Sequence, residues 1–150
     1  MLELLAPAGN EESFFAAINN GADAVYLGLS DFSARKNAAN FSVENLAYYV
    51  NYAHLFNAKV YVAVNTLVKN DELDDFFNAV QAAYLAGADA FIVQDVFLGK
   101  PLKERFPDIT LHLSTQGGVN NAEGAIYAKN HGFSRVILAR ETALSEIKQI

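Results

Sequence analysis

The stretch GADAVYLGL, residues 21–29, returns as GADAFIVQD at residues 87–95, and a looser copy, HGFSRVILAR, occupies residues 131–140. In each copy a glycine is followed by a short segment that contains a polar residue and then by a run of apolar residues. Glycine often ends a helix, because the position after the last turn commonly takes a left-handed backbone. The apolar run is too short and too continuous for an amphipathic helix, so it predicts a strand buried on both faces. Each copy therefore predicts a helix followed by a buried parallel strand.

The same alternation extends along the whole chain. It predicts strands near residues 2–6, 24–29, 59–65, 90–95, 110–115 and 135–140. It predicts helices near residues 11–20, 43–56, 71–86, 97–105, 121–131 and 142–150. Residues that cap helix starts stand at Asn10, Ser42 and Asp71, and glycines that stop helices stand at Gly21, Gly87 and Gly132. A βα series of this kind predicts a parallel sheet with helices outside it.

The fold class that follows is α/β, a parallel TIM-type (β/α) barrel. Such a barrel has eight βα units and about 250 residues, so about six units predict an incomplete barrel. We expect residues 1–150 to be the N-terminal portion of a single barrel domain, truncated before its last strands. Unpaired barrel edges predict that this fragment self-associates. The alternative is a doubly wound open sheet, but APAGN at residues 6–10 lacks the G-x-G-x-x-G fingerprint of that fold.

Composition limits the class of protein. The chain has 150 residues, 52% of them hydrophobic, which is enough for a core. No apolar stretch is long enough to span a membrane and no signal-peptide pattern is visible, so we expect a cytoplasmic protein without a membrane partner. The absence of cysteine excludes disulfides and thiolate metal sites among these residues. A net charge of -6 argues against broad, non-specific binding of nucleic acid.

Polar residues recur where the predicted strands end. In a parallel barrel the ligand site lies at the carboxyl ends of the strands. The residues found there are Asn65, Gln94, Asp95, Ser114, Thr115, Gln116, Arg140 and Glu141. Any one of them could simply meet water, but strand ends converge at one opening, so the set predicts a shared binding face.

The fifth and sixth predicted strands suggest how side chains point at this face. Alternation places Leu111 and Leu113 on one face of strand five and His112, Ser114 and Gln116 on the other. The leucines should face the helices, which directs the polar set into the barrel lumen. His112 is then either a contact for a ligand or a structural histidine with a satisfied hydrogen-bond partner. In strand six, Val136, Leu138 and Arg140 share a face, and we expect the Arg140 side chain to point into the opening.

The longest segment after a strand is SDFSARKNAANFS, residues 30–42. A loop of this length at the functional face is typical of a lid or a binding loop, although a plain solvated loop is the alternative. It carries Arg35 and Asn37. Together with Arg140, these residues favour an anionic small-molecule substrate, because arginine pairs well with carboxylates.

Six blocks of the sequence resemble the N-terminal part of the collagenase-like peptidase family, peptidase family U32. They are ELLAPAGNEESFFAAINNGADAVYLG (3–28), FSARKNAANFS (32–42), KVYVAVNTLVKNDEL (59–73), GADAFIVQD (87–95), LHLSTQ (111–116) and RVILARE (135–141). The resemblance implies an enzyme. Some members of the family are described as proteases. Others hydroxylate RNA bases or a quinone precursor without oxygen, using an iron–sulfur cluster and, for RNA, a prephenate-like hydroxyl donor.

The residues of this chain contain no visible protease machinery, and the hydroxylase is an activity that the resemblance implies. A protease needs an activated nucleophile or a metal-bound water, and this chain has no cysteine and no H-E-x-x-H motif. Its histidines are His54, His112 and His131. We therefore expect a full-length RNA hydroxylase, with a peptidase and a non-catalytic binding module as the alternatives. The fragment alone is expected to be inactive, with its catalytic residues unassigned, no metal site of its own, and any iron–sulfur ligands beyond residue 150.

Overall fold

The computed structural model describes residues 2–34 and 41–150 as an alternation of strands and helices. The strands are β1 (Leu5–Ala8), β2 (Ala24–Gly28), β3 (Lys59–Val64), β4 (Ala90–Val93), β5 (Leu111–Leu113) and β6 (Arg135–Val136). The helices are α1 (Glu11–Asn19), α2 (Val43–Leu55), α3 (Leu73–Leu85), α4 (Gly99–Arg105), α5 (Ala122–Asn130) and α6 (Leu144–Ile147). Single 3-10 turns lie at Asn70–Glu72, Val96–Leu98 and Thr115–Gly117.

The strands form one sheet whose order is the order of the chain. All neighbours are parallel, from β1 beside β2 through to β5 beside β6. A doubly wound sheet would reverse its strand order at a switch point, and this six-stranded sheet does not. The chain is therefore a partial (β/α) barrel, and the predicted fold class is confirmed.

Alternation along the strands divides the core into two layers. In β3, Val60, Val62 and Val64 pack toward the helices, while Tyr61 and Ala63 face the lumen. The helix-side layer is the larger and includes three fully buried rings, Phe14, Phe76 and Phe91. Strands buried on both faces explain why the sequence of β3 reads as a continuous apolar run.

The structure confirms the local chemistry predicted for the start of α1 and for the glycines that end helices. Of the other predicted caps, Ser42 precedes α2 without a side-chain capping bond, and Asp71 lies inside the 3-10 turn before α3. Asn10 caps α1: its Oδ1 accepts a hydrogen bond from the Ser13 amide at 2.8 Å, and the Ser13 Oγ accepts one from the Asn10 amide at 3.1 Å. The three glycines expected to stop helices have positive φ angles, at Gly21 (87°), Gly87 (92°) and Gly132 (94°). These left-handed positions fix the recurring helix–glycine–strand junction.

The first and last elements differ from the sequence prediction. β1 covers Leu5–Ala8 instead of residues 2–6, because Asp23 holds the backbone just before it: the Leu4 amide donates to Asp23 Oδ2 at 2.7 Å. β6 ends at Val136, although the chain runs on beside its neighbours, with the Ala139 amide donating to Val119 O at 2.8 Å. The last helix is shorter than predicted and covers Leu144–Ile147.

β1 and β6 are the outer strands of this sheet. Self-association through those strands stays a prediction, as does the assignment of the chain to the N-terminal portion of one barrel domain. Over the described residues, the helices are all too short or too polar to cross a bilayer.

Candidate functional site at the carboxyl ends of the strands

Asn65 connects three of the loops that follow strands. It comes directly after β3, and its Nδ2 donates to Oε1 of Gln116, in the turn after β5, at 2.8 Å. Its Oδ1 accepts from the Ala34 amide, in the loop after β2, at 3.2 Å. The sequence had predicted that Asn65 and Gln116 share the opening at the strand ends, and the structure brings them into direct contact. We call this opening, centred on Asn65 and Gln116, the mouth.

The first residues of the loop after β2 contact the mouth. The two ends of this loop lie side by side, because Leu29 and Phe41 form a parallel bridge. Thr66 Oγ1, just after β3, donates to the Phe32 carbonyl at 3.3 Å. Phe32 has a φ of 62°, which costs a bulky residue about 1 kcal/mol or more. Its ring packs edge-on against Phe76, with centroids 5.5 Å apart, and this contact holds the conformation. Arg35 and Asn37, the loop residues predicted to bind substrate, lie outside the described residues.

Other polar residues predicted for the mouth shape its loops. The buried Ser114 Oγ accepts from the Gln116 amide at 3.2 Å, and Thr115 Oγ1 donates to the Leu138 carbonyl at 3.1 Å. Asp95 Oδ1 accepts from the Phe97 amide at 2.9 Å and so caps the turn after β4. Gln94, next to it, is half-buried. The hydrogen bonds of Ser114 and Thr115 hold the turn after β5, which carries Gln116 of the Asn65–Gln116 pair.

Arg140 is not directed into the mouth in the way that alternation predicted. Val136 and Leu138, which share its face, pack against the helix-side core, whereas Ile137 packs on the lumen side. The prediction that this face turns into the lumen was therefore wrong for Val136 and Leu138, and Arg140 and Glu141 form an exposed turn beyond β6. The ion pairs among residues 2–34 and 41–150 are His54–Asp89 and Glu3–Arg135, so Arg140 pairs with neither Asp95 nor Glu141 there.

His112 is buried on the lumen side, as expected, but near the amino ends of the strands. Its ring packs edge-on against Tyr61, with centroids 4.8 Å apart. Arg135 Nη1 donates to Glu3 Oε1 at 2.5 Å, and the Tyr61 hydroxyl donates to Glu3 Oε2 at 2.8 Å. We call Glu3, Tyr61, His112 and Arg135 the amino-end cluster. Strands in a barrel are staggered, so the middle of β5 pairs with the first residue of β6.

The environment of the amino-end cluster fixes its charge states. Burial, and after it the positive charge of Arg135, lowers the pKa of His112 to about 4. Burial, and after it the hydrogen bond to Glu3, raises the pKa of Tyr61 to about 12. The hydrogen bond from Arg135 lowers the pKa of Glu3. At neutral pH the His112 imidazole is therefore uncharged and a weak base, which suits a structural role better than proton transfer.

No local pattern in the sequence could have revealed this cluster. Glu3 and Arg135 are separated by 132 positions. Glu3 stands before a strand and Arg135 begins one, so neither belongs to the row of residues at the carboxyl ends. Only the closeness of β1 and β6 across the lumen brings them together.

The pH dependence of protein stability tests whether the folded protein keeps His112 uncharged. Because its pKa is lower in the folded protein than in the unfolded one, unfolded chains bind the extra proton as the pH falls below about 6.5. We expect the free energy of unfolding of the full-length protein to fall by about 1–2 kcal/mol between pH 6.5 and 4.5 from this residue. Urea denaturation across that range measures it.

The control for this prediction separates His112 from the surface histidines. His112→Gln should remove that part of the pH dependence, whereas His131→Gln should keep it. Superimposable pH profiles of wild type and His112→Gln would contradict the assignment.

The fold and the mouth now allow comparison with known proteins. A family model described as peptidase family U32 matches residues 9–150. The chain belongs to peptidase family U32. The resemblance found in the sequence is thereby confirmed.

Curated relatives of this U32 chain carry the names of RNA-modifying proteins and of a protease. The chain is 38% identical over 151 residues to tRNA hydroxylation protein P1 of Bacillus subtilis and 41% identical over 149 residues to a 23S rRNA 5-hydroxycytidine synthase of Escherichia coli. It is 32% identical over 149 residues to a collagenase of Porphyromonas gingivalis. Each alignment covers 99% of this chain but only 22% to 35% of the relative. The chain therefore spans about a third or less of the length of these relatives.

Solved structures resemble this U32 chain in fold. The U32 peptidase Mk0906 superposes with a TM-score of 0.78 at 16% identity, over 100% of this chain and 64% of that one. A deoxyribose phosphate aldolase from Aeropyrum pernix superposes with a TM-score of 0.70 at 16% identity, over 99% of this chain and 66% of that one. At this level of identity the likeness concerns the barrel fold alone.

Proposed function

We propose that this chain is part of an enzyme that hydroxylates pyrimidine bases in RNA without using molecular oxygen. The observation that carries the proposal is the 38–41% identity, over 99% of the chain, to proteins named for tRNA hydroxylation and for 5-hydroxycytidine synthesis in 23S rRNA. The cytoplasm, where tRNA and ribosomes reside, is the location that the proposal implies.

The mouth offers groups suited to holding a base. A base must leave its stack before an enzyme can act on its ring, and proteins read such a base by hydrogen bonds to its edge. The side-chain amides of Asn65 and Gln116 each carry both a donor and an acceptor. In the proposal, their mutual hydrogen bond opens and the two amides bind the edge of the base, while the loop around Phe32 and Ala34 excludes water.

The residues of this chain do not fit an iron–sulfur cluster. Such clusters are held mainly by cysteine thiolates, and the chain has no cysteine. Within residues 2–34 and 41–150, histidine, aspartate and glutamate side chains do not gather in threes that could hold a metal. We therefore propose that a cluster, where the reaction uses one, takes its ligands from elsewhere in the enzyme, and we assign it no step here.

An anionic hydroxyl donor is the second part of the proposal. Arg140 lies in an exposed turn after β6 and forms no ion pair with the described residues. Guanidinium groups bind carboxylates through two parallel hydrogen bonds. In the proposal Arg140 binds the carboxylate of a prephenate-like donor, and Arg35, from the loop after β2, binds the same donor.

Mass spectrometry of RNA nucleosides tests this function. Deleting the full-length gene from its source organism should abolish one hydroxylated pyrimidine nucleoside in purified tRNA or rRNA, and the wild-type gene should restore it. Growth under ¹⁸O₂ should leave the restored hydroxyl unlabelled. The gene carrying Arg140→Ala should restore the hydroxylated nucleoside about tenfold more slowly than the wild-type gene, which is the loss expected for one charge-assisted contact. An unchanged nucleoside profile in the deletion strain would contradict the proposal.

A peptidase is the second candidate, supported by the relative named collagenase. The described histidines do not resemble a protease centre. His54 Nε2 pairs with Asp89 Oδ2 at 2.9 Å, the His131 Nδ1 donates to the Tyr127 carbonyl at 2.8 Å, and His112 packs against Tyr61. Release of labelled peptides from gelatin by the purified full-length protein, abolished by a mouth substitution, would favour the peptidase over the hydroxylase.

A further inference from the structure

Three aromatic rings form a compact group where the end of α5 packs against the turn after β4. Tyr127, in α5, stacks on His131, with centroids 4.1 Å apart and ring planes 27° from parallel. Phe97, in the turn after β4, stands nearly perpendicular to both, 6.4 Å from Tyr127 and 6.2 Å from His131. We call Phe97, Tyr127 and His131 the aromatic shelf.

The shelf is rigid and yet exposed. The His131 Nδ1 donates to the Tyr127 carbonyl at 2.8 Å, which fixes the stacked pair. Gly99 brings α4 so close to the His131 carbonyl that no side chain fits between them, and this approach positions Phe97. Even so, Phe97 is 67% exposed and Tyr127 is 45% exposed. Large rings that are held in place but left in water are typical of a binding surface.

The position of the shelf relates it to the mouth. A cavity of about 200 Å³ adjoins Tyr127 and is also lined by Gly117, Gly118, Asn120 and Asn121. Gln116, the residue before Gly117 in the same turn, contacts Asn65 in the mouth. The turn after β5 therefore lies between the mouth and this cavity, which Tyr127 of the shelf lines.

We propose that the aromatic shelf stacks an unpaired base of the RNA substrate, a neighbour of the base that enters the mouth. This inference rests on the proposed function. Proteins that bind single-stranded RNA stack its bases on aromatic side chains, and amide side chains then pair with base edges. Phe97 and Tyr127 supply the stacking surface, and Asn120 and Asn121 supply amides in the adjoining cavity.

Fluorescence anisotropy with the full-length enzyme tests the shelf. The probes are a fluorescein-labelled oligouridylate of about 12 nucleotides, long enough for such a site, and the same strand paired with oligoadenylate. Phe97→Leu and Tyr127→Leu remove a ring but keep apolar bulk, and Phe97→Tyr and Tyr127→Phe keep the ring. Tyr48→Leu, at a tyrosine on α2 that is 58% exposed, is the control away from the shelf. Thermal unfolding confirms that each variant folds.

We expect the leucine variants at the shelf to raise the Kd for the single strand about tenfold or more. The Kd for the single strand should change less than about twofold in the ring-preserving variants and in Tyr48→Leu. The Kd for the duplex should change less than about twofold in every variant. Equal Kd values for wild type and both leucine variants would overturn the shelf, as would an equal loss in Tyr48→Leu. The shelf proposal would also be overturned if the Kd for a gelatin peptide rose in the leucine variants but not in the ring-preserving variants or Tyr48→Leu. That result would show that the shelf binds a protein substrate.

The same variants in the complemented deletion strain separate the two proposals. If the deletion abolishes the hydroxylated nucleoside and the Phe97→Leu, Tyr127→Leu double variant restores it at the wild-type rate, the shelf is wrong while the proposed function stands. If the deletion leaves RNA hydroxylation unchanged, both are wrong. A slow or absent restoration by the double variant, together with full restoration by Tyr48→Leu, supports the shelf.

Discussion

Replacing Gly99 with valine is expected to lower the free energy of unfolding by about 3 kcal/mol or more. Gly99 begins α4 and is buried, and a Cβ built on it would lie 2.2 Å from the His131 carbonyl oxygen and 2.6 Å from Phe133 Cε2. The carbonyl belongs to the backbone, and the His131 amide is itself bonded to the end of α5 at Tyr127 and Ala128. The clash can therefore be relieved only by moving α4 away from α5.

Denaturant unfolding of the full-length protein measures this effect. Gly99→Ala should show a smaller loss in the same direction, because the first added carbon already meets the carbonyl. Gly9→Ala is the matched control, since a Cβ there would have no atom within 4 Å and its backbone is not left-handed. Equal unfolding midpoints for Gly99→Val and Gly9→Ala would contradict the close approach of the two helices.

Under the proposed function, replacing Asn65 with leucine is expected to lower the rate of RNA hydroxylation by the full-length protein about thirtyfold. The substitution keeps the size of the side chain but removes its hydrogen bonds to Gln116 and to the Ala34 amide. In the proposal the variant loses one hydrogen bond to the edge of the base and one to the Ala34 amide, and about 1 kcal/mol for each accounts for a change of this size. The loop after β2 would also lose a contact with the mouth.

A double-mutant cycle distinguishes loss of the pair from loss of the fold. Gln116→Leu should lower the rate in the same direction, and the Asn65→Leu, Gln116→Leu double variant should be little worse than either single variant, because contacting residues are not additive. Asn51→Leu, at an exposed position on α2, should keep the wild-type rate. Fully additive losses, with unchanged unfolding midpoints, would show that the two amides act independently.

The sequence by itself predicted the fold and its local boundaries. The helix–glycine–strand repeat predicted the parallel series, and Gly21, Gly87 and Gly132 adopt the left-handed backbone that such junctions need. The pairing of Asn10 with Ser13 predicted the start of α1. Each of these features depends on residues within a few positions of one another, where backbone geometry and hydrogen bonding act directly.

The sequence also placed Asn65 and Gln116 at one opening, because the carboxyl ends of parallel strands converge. It could not show that their amides meet or that the Ala34 amide joins them. It assigned His112 to the correct face of β5 but not to its partners, Tyr61 and Arg135. It assigned Val136 and Leu138 to the lumen, whereas both pack on the helix side, because alternation alone does not say which face of β6 meets the helices.

What only the tertiary structure decided are the contacts between elements distant in the chain. The stagger of the strands set Glu3 against Arg135, and the approach of α4 to α5 at Gly99 set Phe97 beside Tyr127 and His131. Periodicity reports which face of an element is buried, because burial is a property of each residue. Periodicity does not show which element that face packs against, or at what position along the barrel axis, because both depend on the tilt and spacing of the whole sheet.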